Sequence, residues 1–396
     1  MKISRKIIVF LLLSLVSLFA DMTYEGARSV GGAYLEYLSA PALFAGLLGT
    51  GELISYAARA ITGGVITRFR NDKVIWTTVI FGYVLNLAVI PVLAFIGNWE
   101  IAFVLLLTER IGKGLRNPSR DVILSEVVEE IGRGRGFGLH EFLDQLGAIS
   151  GPLIIAYFLS GRGGYSAGFK FLAIPASISI ALVLASFITY PKLSSLDTIR
   201  GITIRKVGGP LKSYIFLFSM ISAALIPWSI VSYNIVKLGG GGEIAALLYM
   251  IAMVTDAIGA LLLGYLYDRA KLYIYLIVPP LSFISTLLFL GNGLNIIWYG
   301  IGAAIWGIVM GYFESVFRAT ISELSQGDYV GGFGAYAVAQ ALAFGIGAVF
   351  YAVLYTLHPV TAIGYSLVVN TASAVYLYML ISRGRKNRGI PIQPDS

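Results

Sequence analysis

The sequence has no cysteine and only two histidines, His140 and His358. Disulfide bonds and thiolate metal sites are therefore excluded, and a zinc centre with three histidine ligands cannot be built. Charged residues are also scarce, at 13% of the chain, whereas a soluble domain has about 25%. Because so few charges cannot cover a surface that faces water, their scarcity predicts a surface that faces lipid.

Apolar residues make up 57% of the chain, and its mean hydropathy is +0.80. A membrane-spanning helix needs about 20 consecutive and mostly apolar residues. The sequence meets this requirement twelve times, at 7–31, 38–66, 74–97, 100–118, 137–160, 168–190, 212–237, 243–267, 272–291, 294–317, 332–357 and 359–382. We therefore predict an all-α membrane protein with twelve transmembrane helices.

The net charge of +8 comes from Lys and Arg residues that lie mostly in short segments between the predicted spans. If the N-terminus is placed inside, the outer segments hold only Arg162, Lys170 and Lys237. Basic residues collect on the cytoplasmic side of membrane proteins, so we predict a multi-pass protein of the cell membrane with both termini cytoplasmic. The same distribution argues against nucleic acid as a partner. A cleaved signal peptide ending at Ala20 is disfavoured, because Leu18 stands where a small residue is expected.

The sequence contains an internal repeat. Span two ends in Gly63 to Arg68, and span eight ends in Gly264 to Arg269, with Gly and Arg at the same positions. A second set of matches at one constant offset links span five with span eleven, pairing Phe137, Gly138 and Gly151 with Phe333, Gly334 and Gly347. A six-helix unit duplicated in parallel is typical of transporters whose halves are related by an axis along the membrane normal. We predict an N-terminal bundle at 1–190, a cytoplasmic linker at 191–211, a C-terminal bundle at 212–385 and a cytoplasmic tail at 386–396.

These motifs resemble the major facilitator superfamily over essentially the whole chain. The loop signature Gly-x-x-x-Asp-Arg of that family is complete at Gly264, Asp268 and Arg269, and the first copy departs from it only at Thr67. Arg110 followed by a glycine four residues later resembles the buried-arginine motif of its fourth span. The resemblance implies two pseudo-symmetric six-helix bundles that move a solute by alternating access.

Two finer features follow from the same resemblance. The segment 147–152, Gly-Ala-Ile-Ser-Gly-Pro, resembles the fifth-span motif of the drug and small-molecule proton antiporter branch, although glycines at this spacing also serve general helix packing. The loop signature implies a gating latch that clasps helix ends in one state and releases them in another. Its residues here are Gly63, Arg68, Gly264, Asp268 and Arg269.

Ionisable side chains inside the predicted spans form the candidate site, because each costs about 2.5–3.5 kcal/mol to place in the membrane and is retained for function by default. We assign proton coupling or solute binding to Asp21, Glu25, Arg28, Glu52, Arg110, Asp144 and Asp256. The first three lie on one face of a helix, and the last four fall near mid-membrane. Two structural alternatives stay open: an ion pair of Arg28 with Glu25 at the outer mouth, and neutralisation of Asp144 or Glu52 by Arg110.

A carboxyl group shielded from water binds a proton more readily, because its charged form is disfavoured. Asp256, Glu52, Asp144 and Asp21 are therefore the predicted proton carriers, and an acidic cavity would favour a cationic solute. Aromatic and polar side chains on helices that the resemblance implies to line the cavity complete the candidate site, with core packing as the alternative role. They are Tyr24, Trp228, Tyr233, Asn234 and Trp306.

The sequence thus predicts a secondary transporter, coupled to protons, that exports a small organic or cationic solute. Within the same fold a uniporter and a metal-ion exporter are alternatives, since carboxylates suit hard cations, and a lipid scramblase is the alternative outside transport. The glycines at 239–242 are followed by no Lys-Ser or Lys-Thr pair, so they do not form a phosphate-binding loop. We expect no enzymatic activity, no cofactor and no bound metal, and a monomer whose partners are the solute, protons and the bilayer.

Overall fold

A computed structural model of the chain describes residues 4–161, 163–193, 208–325 and 329–386. Within these ranges every regular element is a helix. The α-helices are α1 Arg5–Tyr37, α2 Ala42–Leu47, α3 Gly51–Phe69, α4 Asp72–Val92, α5 Trp99–Val127, α6 Arg133–Ser160, α7 Gly164–Phe171, α8 Ala173–Thr189, α9 Gly209–Ala224, α10 Trp228–Lys237, α11 Gly242–Ala270, α12 Val278–Leu290, α13 Ile296–Glu314, α14 Val316–Leu324, α15 Tyr329–Leu357 and α16 Pro359–Lys386. Most of the predicted linker 191–211 and of the tail 386–396 lies outside the described residues.

Ten helical stretches among the described residues are long and apolar enough to cross a membrane. The two predicted spans that are not among them, 38–66 and 100–118, are nevertheless helical and correspond to α2 with α3 and to α5. What sets α3 and α5 apart is their content of charged residues rather than their length. Two of these charged residues, Glu52 on α3 and Arg110 on α5, belong to the candidate site.

The chain divides into two compact units. The first contains the segments Met1–Ala40, Gly51–Ile202 and Gly241–Met250, and the second contains Pro41–Thr50, Thr203–Gly240 and Ile251–Ser396. Two ten-residue segments, 41–50 and 241–250, therefore group with the opposite unit from the one that the predicted halves 1–190 and 212–385 would give. The second of these segments carries a side chain that reaches the candidate site.

In the first unit, α1 and α6 pack backbone to backbone at glycines. A Cβ atom on Gly147 would lie 2.9 Å from the Cβ of Asp21, and one on Gly151 would lie 2.8 Å from the backbone nitrogen of Gly26. Small residues let helices approach this closely in lipid, where no hydrophobic force drives them together. The close approach brings the polar faces of α1 and α6 into contact.

The second unit repeats this packing at positions matched by the sequence repeat. Gly347, the counterpart of Gly151, packs α15 onto α9, where a Cβ would lie 2.7 Å from the Cα of Ala223. A further equivalent pair joins α3 to α5 at Gly114, and α11 to α13 at Gly311, whose added Cβ would lie 2.7 Å from the nitrogen of Ala260. The repeat in the sequence is thus a repeat in the packing of each unit.

The helix also ends at the same place after both copies of the loop signature. Arg70 follows α3 with a φ of 41°, and Lys271 follows α11 with a φ of 46°. The two residues are separated in the sequence by the same distance as Gly63 and Gly264. A positive φ is uncommon for residues other than glycine, so both breaks are imposed by their surroundings. Arg70 leads through Asn71 into α4, and Lys271 begins a 3₁₀ helix, Lys271–Ile277, that leads into α12.

The loop-signature side chains lie at this turn and are exposed. Arg269 bonds the hydroxyl of Tyr265 and lies 4.4 Å from the centre of its ring, while Asp268 has no ion pair within 4 Å among the described residues. In the first copy, Thr67 donates to the carbonyl of Gly63 at 2.6 Å, within its own helix. Arg68, also exposed, lies over the ring of the adjacent phenylalanine. The latch predicted for these residues stays a prediction.

Candidate functional site

The charged face predicted for α1 lies at the centre of the first unit. Arg28 binds two carboxylates, with Nη1 at 3.3 Å from Oε1 of Glu25 and Nη2 at 2.9 Å from Oε1 of Glu52 on α3. The pair of Arg28 with Glu25 that the spacing suggested is thus present, and Arg28 in addition links α1 to α3. Glu25 is buried.

Arg110 on α5 makes the corresponding contacts from the other side. Its Nη1 lies 3.2 Å from Oε1 of Glu52, and its Nε donates to Oε2 of the neighbouring Glu109 at 2.6 Å. Glu109 also accepts a hydrogen bond of 2.6 Å from Nδ2 of Asn86 on α4. Since the Oε1 atom of Glu52 is shared by two arginines, the alternative in which Arg110 neutralises Glu52 describes this geometry.

Lys113 and Arg116 follow Arg110 along α5 and extend its cationic face. The ammonium of Lys113 lies 4.0 Å from Oε1 of Glu25 and 4.2 Å from the ring centre of Tyr24. Arg116 is fully buried and donates to the hydroxyl of Tyr83 at 2.9 Å. Tyr24, predicted as a cavity aromatic, therefore offers its ring face to cations.

Glu25 has one further partner, and no sequence pattern indicated it. Tyr249, near the start of α11 and in the segment that groups with the first unit, donates its hydroxyl to Oε2 of Glu25 at 2.6 Å. Both side chains are buried. We call the following set the ion network: Glu25, Arg28, Glu52, Glu109, Arg110 and Lys113.

The acids and cations of the ion network balance. The ion network holds three carboxylates and three cations, and Arg116 adds a buried cation beside it. The sequence led us to expect an acidic chamber, because the acids were counted by depth and Arg116 was not among the residues assigned to the site. In the structure α5 continues to Val127, so Arg116 lies inside the helix.

Asp21 and Asp144 stand apart from the ion network, although both face the contact between α1 and α6. Asp21 is buried beside Gly147. Oδ2 of Asp144 lies 3.8 Å from Nε2 of His140, and its Oδ1 is buried without a hydrogen-bond partner in the described part of the chain. Neither aspartate has a lysine or arginine nitrogen within 4 Å among the described residues. His140 was not predicted as a site residue, and its place four residues before Asp144 on α6 was the available signal.

In the second unit, Asp256 on α11 is 3% exposed. It lies where α13 packs closely on α11, since a Cβ on Gly311 would lie 3.1 Å from the carbonyl oxygen of Asp256. Its role as a proton carrier stays a prediction.

The predicted aromatic and polar residues of the second unit are buried and held by one another. Trp228 and Trp306 lie with ring centres 5.5 Å apart, and the indole nitrogen of Trp306 donates to the carbonyl of Ile226 at 3.0 Å. The ring of Tyr233 meets Tyr355 edge to face at 6.3 Å. Core packing, the alternative role considered for them, would give such contacts, and the predicted cavity role stays a prediction.

Asn234 joins three helices of the second unit. Its Nδ2 donates to the hydroxyl of Tyr299 at 2.7 Å and to the carbonyl of Phe289 at 3.1 Å, and its Oδ1 accepts from the hydroxyl of Tyr355 at 2.6 Å. All the polar atoms of the Asn234 side chain are therefore engaged inside the protein.

In the described residues, no group of three or more His, Asp or Glu side chains is arranged to hold a metal ion.

Comparison with known proteins identifies the family. The family model of the Major Facilitator Superfamily matches residues 11–382. The chain belongs to the major facilitator superfamily. It is 32% identical over 320 residues to an uncharacterised protein of Mycobacterium tuberculosis, a match that covers 78% of this chain and 77% of the relative. It is also 29% identical over 149 residues to an uncharacterised MFS-type transporter of Methanocaldococcus jannaschii, which covers 37% of this chain and 36% of the relative.

Solved structures of two transporters share the fold. The nucleoside transporter NupG superposes with a TM-score of 0.71 at 12% identity, over 94% of this chain and 98% of NupG. The peptide transporter POT in complex with sulfate superposes with a TM-score of 0.73 at 16% identity, over 97% of this chain and 99% of POT. The protein is therefore a multi-pass membrane protein with the fold of a secondary transporter.

Proposed function

We propose that the protein is a proton-coupled secondary transporter that exports a small organic solute across the cell membrane by alternating access. The observation that carries this proposal is the ion network, in which charges from α1, α3 and α5 meet inside a unit built of membrane-spanning helices. Charges held at such cost inside a membrane protein mark solute or ion pathways by default. The export direction and the antiporter mechanism rest on the resemblance of the segment 147–152 to the antiporter branch.

The part of the ion network that a solute can reach favours an acidic or zwitterionic molecule over a simple cation. Arg28, Glu52 and Lys113 keep 26%, 28% and 20% of their side-chain surface exposed, whereas Glu25 and Glu109 are buried. The accessible charges thus carry both signs with cations in excess. A guanidinium suits bidentate binding of a carboxylate or phosphate group.

Asp21 and Asp144 are the best placed of the predicted acids to carry protons. A carboxylate held by two arginines, as Glu52 is, keeps its charge because the neutral form would abandon both ion pairs. Asp21 and Asp144 lack such partners among the described residues, and they lie along the same helix contact. We propose that a proton held by these aspartates alternates with the solute held by the ion network.

The test is flux in proteoliposomes with a panel of small organic acids, zwitterions and cations, each measured with and without a pH gradient. We expect a carboxylate-bearing solute to move and its flux to rise with the gradient. Asp21→Asn and Asp144→Asn should each slow gradient-driven flux by about tenfold or more, as loss of an essential proton-transfer group does. Glu100→Gln, an exposed acid in the first turn of α5, is the matched control and should leave flux unchanged.

The outcomes separate the candidate mechanisms. Flux that is indifferent to pH in the wild type and in both asparagine variants would contradict proton coupling and favour a uniporter, with the ion network serving as solute contacts only. Asp256→Asn in the same assay tests whether the second unit takes part, and unchanged flux would remove Asp256 as a carrier. Transport of cations alone would contradict the solute class proposed here.

A further inference from the structure

The function proposed above gives no role to the imidazole of His140. This side chain lies between two serines of α1. Nδ1 of His140 is 3.3 Å from Oγ of Ser14, and Nε2 is 3.3 Å from Oγ of Ser17. The side chain is 5% exposed. Because a hydroxyl can donate or accept, both ring nitrogens have a partner that fits either tautomer.

This arrangement continues to Asp144. Nε2 of His140 lies 3.8 Å from Oδ2 of Asp144, one helical turn further along α6, and Ser17 interacts with the same carboxyl group. Oδ1 of Asp144 is buried and unpartnered in the described part of the chain, so the carboxyl group has room for a further hydrogen bond. Closing the gap requires less than about 1 Å of side-chain movement to reach ordinary hydrogen-bond length.

The serines belong to a stripe on one face of α1. Ser14, Ser17 and Asp21 are spaced by three and four residues, which places them in line along the helix. All three are buried, and α6 presents His140 and Asp144 to them. Polar groups therefore follow one another from the half of α1 nearer its N-terminus to the first acid of the charged face.

Charged side chains approach His140 from α5 and α6, which pack around it. From α5 come Arg116, Arg120 and Asp121, and Arg120 is held by Asp121 at 2.8 Å. From α6 come Asp144 and Glu141, and α1 carries Asp21 beyond the two serines and Arg5 and Lys6 at its N-terminal end. The two arginines repel a standing positive charge on the imidazole, so this site suits passing a proton on rather than storing it.

We propose that Ser14, His140 and Ser17 form a proton relay that loads and unloads Asp144 from the Arg133 end of α6. The inference rests on the proposed proton coupling and deepens it by naming the path. A proton arrives through the Ser14 hydroxyl at Nδ1, and the proton on Nε2 leaves, directly or through Ser17, to the Asp144 carboxylate. The imidazole is neutral before and after, its tautomer changes from Nε2–H to Nδ1–H, and Asp144 becomes neutral. Unloading follows the same path in reverse.

The chain offers a direct spectroscopic test, since it has only two histidines. In a His358→Gln background, ¹⁵N-labelled histidine in nanodiscs reports His140 alone, and the ¹⁵N shifts give the proportion of the two tautomers. We expect a neutral imidazole between about pH 5.5 and 8, and a shifted tautomer ratio in Ser14→Ala, Ser17→Ala and Asp144→Asn. Ser186→Ala removes a buried hydroxyl bonded only within its own helix and should leave the ratio unchanged. A ratio that none of the three variants moves would overturn the relay.

Flux in proteoliposomes provides the second arm. We expect His140→Gln to slow pH-driven flux by about tenfold or more while leaving solute exchange without a gradient at the wild-type rate. Wild-type flux that ignores pH would contradict the proposed function itself. Wild-type flux that follows pH, together with an unchanged rate in His140→Gln, would overturn the relay alone and leave Asp144 to be loaded by another route.

Discussion

Replacing Gly147 by alanine tests whether the close contact of α1 with α6 holds the candidate site together. The added Cβ would lie 2.9 Å from the Cβ of Asp21 and closer still to the carbonyl oxygen of Leu18. Carbon atoms in good contact are about 3.5–4.0 Å apart. The atoms on the α1 side are backbone and a Cβ, which cannot rotate away, so the two helices must separate by about 0.6–1 Å.

The size of the effect follows from what overpacking costs. Inserting one methyl group into a well-packed contact destabilises a protein by about 1–3 kcal/mol. The substitution also gains about 1 kcal/mol, because alanine is a better helix former than glycine. Gly138 in the same helix has nothing within 4 Å of an added Cβ, so Gly138→Ala receives the helix gain alone. The difference between the two variants therefore isolates the packing cost of about 1–3 kcal/mol.

The assay is reversible unfolding in mixed detergent micelles with increasing sodium dodecyl sulfate, followed by far-ultraviolet circular dichroism. We expect Gly138→Ala to be as stable as the wild type or slightly more stable, and Gly147→Ala to be less stable than Gly138→Ala by the amount above. Separation of the helices should also slow pH-driven flux, because Asp21 and Asp144 move apart. Equal stability of the two variants would refute the reasoning that α1 and α6 meet at Gly147.

Two further predictions concern the ion network. Arg110→Met leaves the buried Glu109 without its cation, and removing one partner of a buried ion pair costs about 3–5 kcal/mol of unfolding free energy in the same assay. Tyr249→Phe deletes the hydroxyl that donates to Glu25, and the loss of a hydrogen bond to a charged group should cost about 1.5–3 kcal/mol.

Each of these predictions has a matched control. The double variant Arg110→Met with Glu109→Gln removes the unpaired charge and should recover much of the lost stability, and a double variant as unstable as the single one would contradict the pairing. Tyr157→Phe removes a hydroxyl from an exposed side chain and should be neutral. If Tyr157→Phe lowers the unfolding free energy as much as Tyr249→Phe does, the hydrogen bond from Tyr249 to Glu25 contributes nothing to stability.

The helices were predictable because apolar runs of spanning length report directly on a lipid environment. The repeat was predictable as well, since glycines such as Gly151 and Gly347 are required wherever two backbones touch. The charged helices α3 and α5 were predicted from mostly apolar runs like the others, although their charged residues set them apart from the ten stretches that are apolar enough to cross a membrane. Depth along a helix placed Glu52, Arg110, Asp144 and Asp256 at one level, and of the two carboxylates offered as partners for Arg110 only Glu52 lies within ion-pair distance of it among the described residues.

The partners of those residues could not be predicted from spacing. Glu109 and Arg116 were not predicted as site residues, yet both are buried on α5. Tyr249 and His140 lie far in the chain from the side chains that they bind. A sequence gives the depth of a residue along its helix, whereas pairing depends on helix rotation, which is set by packing against neighbouring helices.

Glycine and charge occur together on α5 for a physical reason. A buried cation offsets the cost of leaving water only if its partners come within ion-pair distance, and partners on other helices come that close only where those helices nearly touch. A Cβ on Gly112 would lie 2.7 Å from the Cα of Asn86, and one on Gly114 would lie 2.7 Å from the Cβ of Ala58. Gly112 lets α4 pack closely on α5, and Gly114 does the same for α3, so both helices lie near Arg110. The same helix can therefore be too charged to face lipid and still be stable within the membrane.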